Sequence, residues 1–70
     1  MEHIEFLQLM KHVCICIYYD DFLSSRDIIL IALRTNFYTK KEMYLLSKIV
    51  YYITLKTKYN WLKSLIKYYL

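Results

Sequence analysis

Apolar side chains recur along this chain at intervals of three and four residues, the spacing at which an α-helix gathers them on one side. In the first segment, residues 2–19, Phe6, Met10, Val13, Cys14 and Ile17 form such a stripe, with Glu5, Gln8, Lys11 and His12 on the other side. Val13 to Tyr19 also reads as a buried strand, but no second strand or hairpin turn accompanies it, so a helix is expected. Asp20 and Asp21 break the pattern and open a short connection.

Two helix starts then follow with one signature. Ser24 with Asp27, and Thr39 with Glu42, place a hydroxyl at the N-cap and an acid three residues on. The hydroxyl can accept from an orphan amide, and the acid favours the positive end of the helix dipole. Leu23 with Ile28 and Tyr38 with Met43 are placed to staple the two turns. Helices are expected over 25–36 and 40–56. At a 15-residue offset, residues 22–32 and 37–47 match in type at most positions. Two helices sharing one good start sequence explain this more simply than a duplication, since repeat architectures need about three copies.

Residues 57–60 are the expected last connection. Leu62, Leu65, Ile66 and Tyr69 then follow at i, i+3, i+4 and i+7, giving a clear amphipathic helix over 59–69. The expectation is one all-α domain over 1–70, a compact bundle of four helices joined by short links.

Composition sharpens this picture. Glycine and proline are both absent, which counts against tight hairpins and against glycine-rich phosphate loops. The chain is 59% hydrophobic and 19% aromatic, with nine tyrosines. A domain of this size buries only about 60% of the surface its unfolded chain exposes. Some apolar area should therefore face a partner.

The third helix indicates where. Leu45, Leu46, Ile49, Val50 and Ile53 form one broad face, while Tyr44, Tyr51 and Leu55 make a second stripe on nearly the opposite side. That helix is either wrapped by the other three or left with a docking stripe, and tyrosine and tryptophan are favoured interface anchors. Trp61, Leu65 and Tyr68 give the last helix a similar second edge.

Charge is divided unevenly. Residues 1–35 carry three basic and five acidic groups, whereas residues 36–70 carry seven basic and one acidic. Lys40, Lys41, Lys48, Lys56, Lys58, Lys63 and Lys67, interleaved with Tyr44, Tyr51, Tyr59, Trp61 and Tyr68, are candidates for neutralising phosphates and stacking on unpaired bases. The order Leu23, Ser24, Arg26, Asp27, Leu33, then Thr39, Lys41, Glu42, Met43, resembles the first two helices of the LuxR-type helix-turn-helix. The resemblance spans about a third of the chain and implies DNA binding. It departs after Glu42, where the glycine-containing turn is missing and the helical pattern runs on. Without that turn no separate recognition helix is expected, and contacts to nucleic acid would be mainly to the backbone.

Catalytic and metal chemistry find little footing. His3, His12, Cys14 and Cys16 do not converge on a helix as zinc ligands must, and no metal or other cofactor is expected. His12 and Cys16 share a helix face but have no third member and no oxyanion loop, so neither an enzyme nor a small-molecule substrate is expected. The lack of a wider cysteine framework and of a basic, apolar leader points to an intracellular protein. No apolar run approaches a membrane span. Residues 56–70 do have the composition of an interfacial helix, which keeps a membrane-surface role in view. The first expectation is a non-catalytic protein–protein interaction module, whether a homodimer, an accessory subunit or a regulator. A basic DNA- or RNA-binding protein is the second.

Overall fold

The computed structural model of the chain describes residues 5–70, and the expected helix start at residue 2 lies outside them. Four helices follow in order: α1 (Phe6–Tyr18), α2 (Phe22–Thr35), α3 (Lys40–Leu55) and α4 (Tyr59–Tyr69). The described residues form no strand, and Val13 to Tyr18 is helical. Each helix packs on the next, and α4 closes the ring against α1. The protein is an all-α four-helix bundle, as its periodicity predicts.

The core forms where the four apolar stripes meet. Leu9, Met10, Val13, Cys14 and Ile17 of α1 face Ile29 and Ala32 of α2, with Leu46, Ile49 and Ile53 of α3 and Leu62 and Leu65 of α4 completing it. Each fully buried aliphatic side chain of this kind contributes about 1.5–3 kcal/mol. The most extensively packed element is α1, which lies between α2 and α4. α3, the helix expected to be either wrapped or half covered, keeps one face outside.

Ser25, Ile29 and Ala32 fall at i, i+4 and i+7 on α2, and the two small residues let that helix approach α1 closely. Ser25 is fully buried, and its hydroxyl donates to the Val13 carbonyl at 3.5 Å. None of the described buried side-chain polar atoms lacks a hydrogen-bond partner.

The start of α2 differs from expectation. Asp21, not Ser24, is the N-cap: its carboxylate accepts from the Ser24 amide at 3.2 Å, and the helix begins at Phe22. The Ser24–Asp27 box does not form, because Ser24 already lies within the first turn and Asp27 pairs with Arg26 at 3.3 Å. Leu23 is exposed, so it does not staple to Ile28. The earlier cap brings Phe22 against Tyr59 of α4, with ring centres 4.9 Å apart.

The Thr39–Glu42 capping box at the start of α3 is as read. The Glu42 amide donates to the Thr39 hydroxyl at 3.2 Å, and the Glu42 carboxylate accepts from the Thr39 amide at 2.8 Å. Tyr38, just before it, packs edge-on against Phe6 of α1, tying the loop to the bundle.

Without glycine, the chain reverses direction on other residues. α1 ends with Asp20 in the left-handed region (φ 58°), and the Asp21 amide donates back to the Cys16 carbonyl at 2.8 Å. α3 ends the same way, with Lys56 at φ 54° and the Thr57 amide donating to the Tyr52 carbonyl at 3.1 Å. Both are six-to-one closures of the Schellman type, here without the glycine that usually relieves them. Lys58, also left-handed, starts α4, so the last link is residues 56–58 and not 57–60.

Candidate docking face on the third helix

The outer side of α3 carries a line of side chains that the bundle leaves uncovered. Lys41, Tyr44, Lys48, Tyr51 and Leu55 follow one another at intervals of three, four, three and four residues. Tyr44, Tyr51 and Leu55 are 70%, 60% and 53% exposed. Ile49 and Ile53 already supply the helix's contact with the core, so these side chains are not needed to hold it in place.

Lys48 organises the middle of this face. Its ammonium lies 4.8 Å from the centre of the Trp61 ring and 5.9 Å from those of Tyr44 and Tyr52. Tyr52 and Trp61 meet edge-to-face with centres 5.3 Å apart, which ties α4 to the margin of this face. Tyr44, Ser47, Lys48, Tyr51 and Tyr52 line an open groove of about 380 Å³. A cation over aromatic faces is held by the ring quadrupoles while remaining accessible to an anion.

The structure divides the residues the sequence nominated. Tyr44, Tyr51 and Leu55 share the α3 face, and Trp61 joins them through Lys48 and Tyr52. Leu65 does not: it is only 6% exposed and belongs to the core, because the α4 stripe that includes Leu62 turns it toward the bundle interior. Tyr68, two turns beyond Trp61, is exposed at 82%. Sequence reasoning missed Ser47, Tyr52 and the placing of Lys48 among the tyrosines, although the three-four spacing from Lys41 to Leu55 was there to be read.

The lysines do not form one free field. Lys63 pairs with Asp20 at 2.8 Å, so one of the seven cations expected to meet phosphates is neutralised within the fold, and Lys48 lies apart from the rest among the rings. Lys40, Lys41, Lys56, Lys58 and Lys67 are exposed, at the start of α3, in the last link and on α4. α3 runs unbroken from Lys40 to Leu55, and no turn follows Glu42 to set off a recognition helix. On α4, Leu62 and Leu65 are buried, so the centre of the leucine face that a membrane surface would need is occupied.

A second apolar groove, also of about 380 Å³, lies between the C-terminal ends of α1 and α4, lined by Ile15, Tyr18, Tyr19, Ile66 and Leu70. Among the described residues no three His, Cys, Asp or Glu side chains gather to hold a metal ion, and no helix is long and apolar enough to cross a membrane. His3 lies outside the described residues. Burial pushes the Cys14 thiol up to about 11. Burial, and then the Asp21 carboxylate, also raise the Cys16 thiol. Neither cysteine is a ready nucleophile near neutral pH.

No protein-family model, curated protein or solved structure significantly matches this chain.

Proposed function

We propose that this protein is a non-catalytic helical module that binds another protein through the outer face of α3. One observation carries the reading: Tyr44, Tyr51 and Leu55 stand exposed in a single line beside a groove walled by Tyr52 and Lys48. Monomeric proteins seldom leave contiguous apolar surface bare, and tyrosines flanking a groove combine large contact area with little entropy loss. The nucleic-acid alternative is weakened by the pairing of Lys63 with Asp20 and by the unbroken course of α3, which sets off no recognition helix.

Photo-crosslinking tests this reading. A photoreactive residue is placed at Tyr51 and, as a control, at Lys67, and a protein joined through position 51 in the native source is identified and purified. That protein should bind the chain directly, and Tyr51→Ala should weaken binding by about thirtyfold or more, the effect of losing an interface anchor, with helicity unchanged. Equal adducts from both positions, or unaltered binding by Tyr51→Ala, would remove α3 as the docking face.

A further inference from the structure

The run Lys41, Tyr44, Lys48, Tyr51, Leu55 has the alternating three-four spacing with which one helix presents a continuous seam to another. Between Lys41 and Leu55 the seam extends about 21 Å, or roughly four turns of a partner helix. An extended peptide that adds as a strand needs an open sheet edge. The described residues form no strand and so offer none.

The seam is cationic as well as apolar. Neither Lys41 nor Lys48 has a carboxylate partner among the described residues. The acids of the fold are occupied elsewhere: Asp20 by Lys63, Asp21 by the Ser24 amide, Asp27 by Arg26 and Glu42 by the Thr39 amide. Glu5 sits at the far end of the sequence from this seam, at the N-cap of α1. A second copy would bring its own Lys41 and Lys48 to the same surface. Paired in parallel, the lysines would meet lysines; paired antiparallel, they would still gain no carboxylate.

Accepting α3 as the docking face, we infer that its occupant is an acidic amphipathic helix of another protein, with apolar residues along its seam and Asp or Glu opposite Lys41 and Lys48. The rings of Trp61, Tyr44 and Tyr52 already hold the Lys48 ammonium, so an incoming carboxylate meets a partly fixed cation and less freedom is lost on binding. The tyrosine rings supply the apolar contact on either side.

Three synthetic helical peptides of about four turns test the assignment. They share one leucine seam and carry Glu, Gln or Lys at the two positions facing Lys41 and Lys48. Binding is read from the emission of Trp61, the one tryptophan of the chain, and from the backbone resonances of α3. The Glu peptide should bind about tenfold more tightly than the Gln peptide, and the Lys peptide more weakly than both. Lys48→Glu should reverse that order, and the exposed Lys41→Gln should narrow it without affecting the fold. If the Gln peptide binds α3 as well as the Glu peptide does, the acidic partner is wrong while the docking face stands. If no peptide moves Trp61 or α3, the docking face itself is wrong. Concentration-dependent dimerisation abolished by Tyr51→Ala would make a second copy the occupant. Tighter binding of a single-stranded oligonucleotide at the same resonances would make it a nucleic acid. Each of these results overturns the assignment.

Discussion

The Lys48 ammonium sits 4.8 Å from the centre of the Trp61 ring, linking α3 to α4 across the thinnest of the four contacts that close the ring of helices. Lys48→Gln should lower stability by about 0.5–1 kcal/mol, as for a partly exposed cation over a ring, while Lys48→Arg should keep most of that contribution. Chemical unfolding followed through Trp61 emission measures both effects. Equal stability of all three proteins would mean that the rings hold α4 without help from the cation.

The two helix starts should respond differently to substitution. Thr39→Ala removes half of a reciprocal pair and should cost about 1 kcal/mol. Ser24→Ala keeps the capping amide and loses only the hydroxyl beside the exposed Asp21 carboxylate, so it should cost less than Thr39→Ala. Asp21→Ala should destabilise. The Ser24 hydrogen bonds hold the Asp21 carboxyl below its ordinary value, so its contribution is present above the unfolded carboxyl's range and is lost as the pH falls through the folded one. Urea midpoints at neutral and acid pH would check this, and a pH-independent effect of Asp21→Ala would contradict it.

Left-handed backbone at residues with a side chain costs about 1–2 kcal/mol each. Lys56→Gly should relieve that cost, partly offset by about 0.5 kcal/mol of added freedom in the unfolded chain, for a net gain of about 0.5–1.5 kcal/mol. In a domain of this size the melting temperature should rise by about 2–12 °C. Asp20→Gly relieves the same strain but loses the ion pair with Lys63. That pair's side chains are 50% and 66% exposed, and it is worth about 0.2–1 kcal/mol. Its net gain should be smaller than that of Lys56→Gly by the worth of that pair. Calorimetry on the two variants separates backbone from charge.

Burial raises the Cys14 thiol from an ordinary 9.0 to about 11. The native state therefore keeps its proton over a range in which the unfolded chain releases it. The stability linked to this group is complete below about pH 9 and is lost as the pH climbs toward 11. Cys14→Ala should flatten that decline relative to the parent while lowering stability at neutral pH by opening a small cavity. Unfolding measured across the alkaline range tests this, and an unchanged alkaline slope would place the proton loss on other groups.

The class of fold was legible in the sequence because apolar spacing is a property of local sequence alone. The Thr39–Glu42 start and the Leu62, Leu65, Ile66, Tyr69 stripe read correctly for that reason. The start of α2 did not, since two polar residues three positions apart, Asp21 and Ser24, compete for one cap. Which of them wins depends on Phe22 reaching Tyr59, a contact made with a distant helix. Leu65 illustrates a related limit. It lies on both the core stripe and the outer edge of α4, and only the packing angle against α1 decides between them. The exposed line on α3 was half visible: Tyr44, Tyr51 and Leu55 stood out as apolar, but Lys48 was read by its charge alone, which hid its place in the same line.

The position of α1 between α2 and α4 also bears on the order of assembly. α1 and α2 are joined by three residues, so their contact closes almost no loop, whereas α4 must return across some forty residues to reach the opposite side of α1. Conformational entropy then favours an early α1–α2 hairpin, with α4 arriving last. Amide protons of α4 should exchange with solvent ahead of those in α1, and a chain caught in that late intermediate would bare Phe6 and Cys14, which lie beside Tyr69 of α4, making it the form most prone to clump.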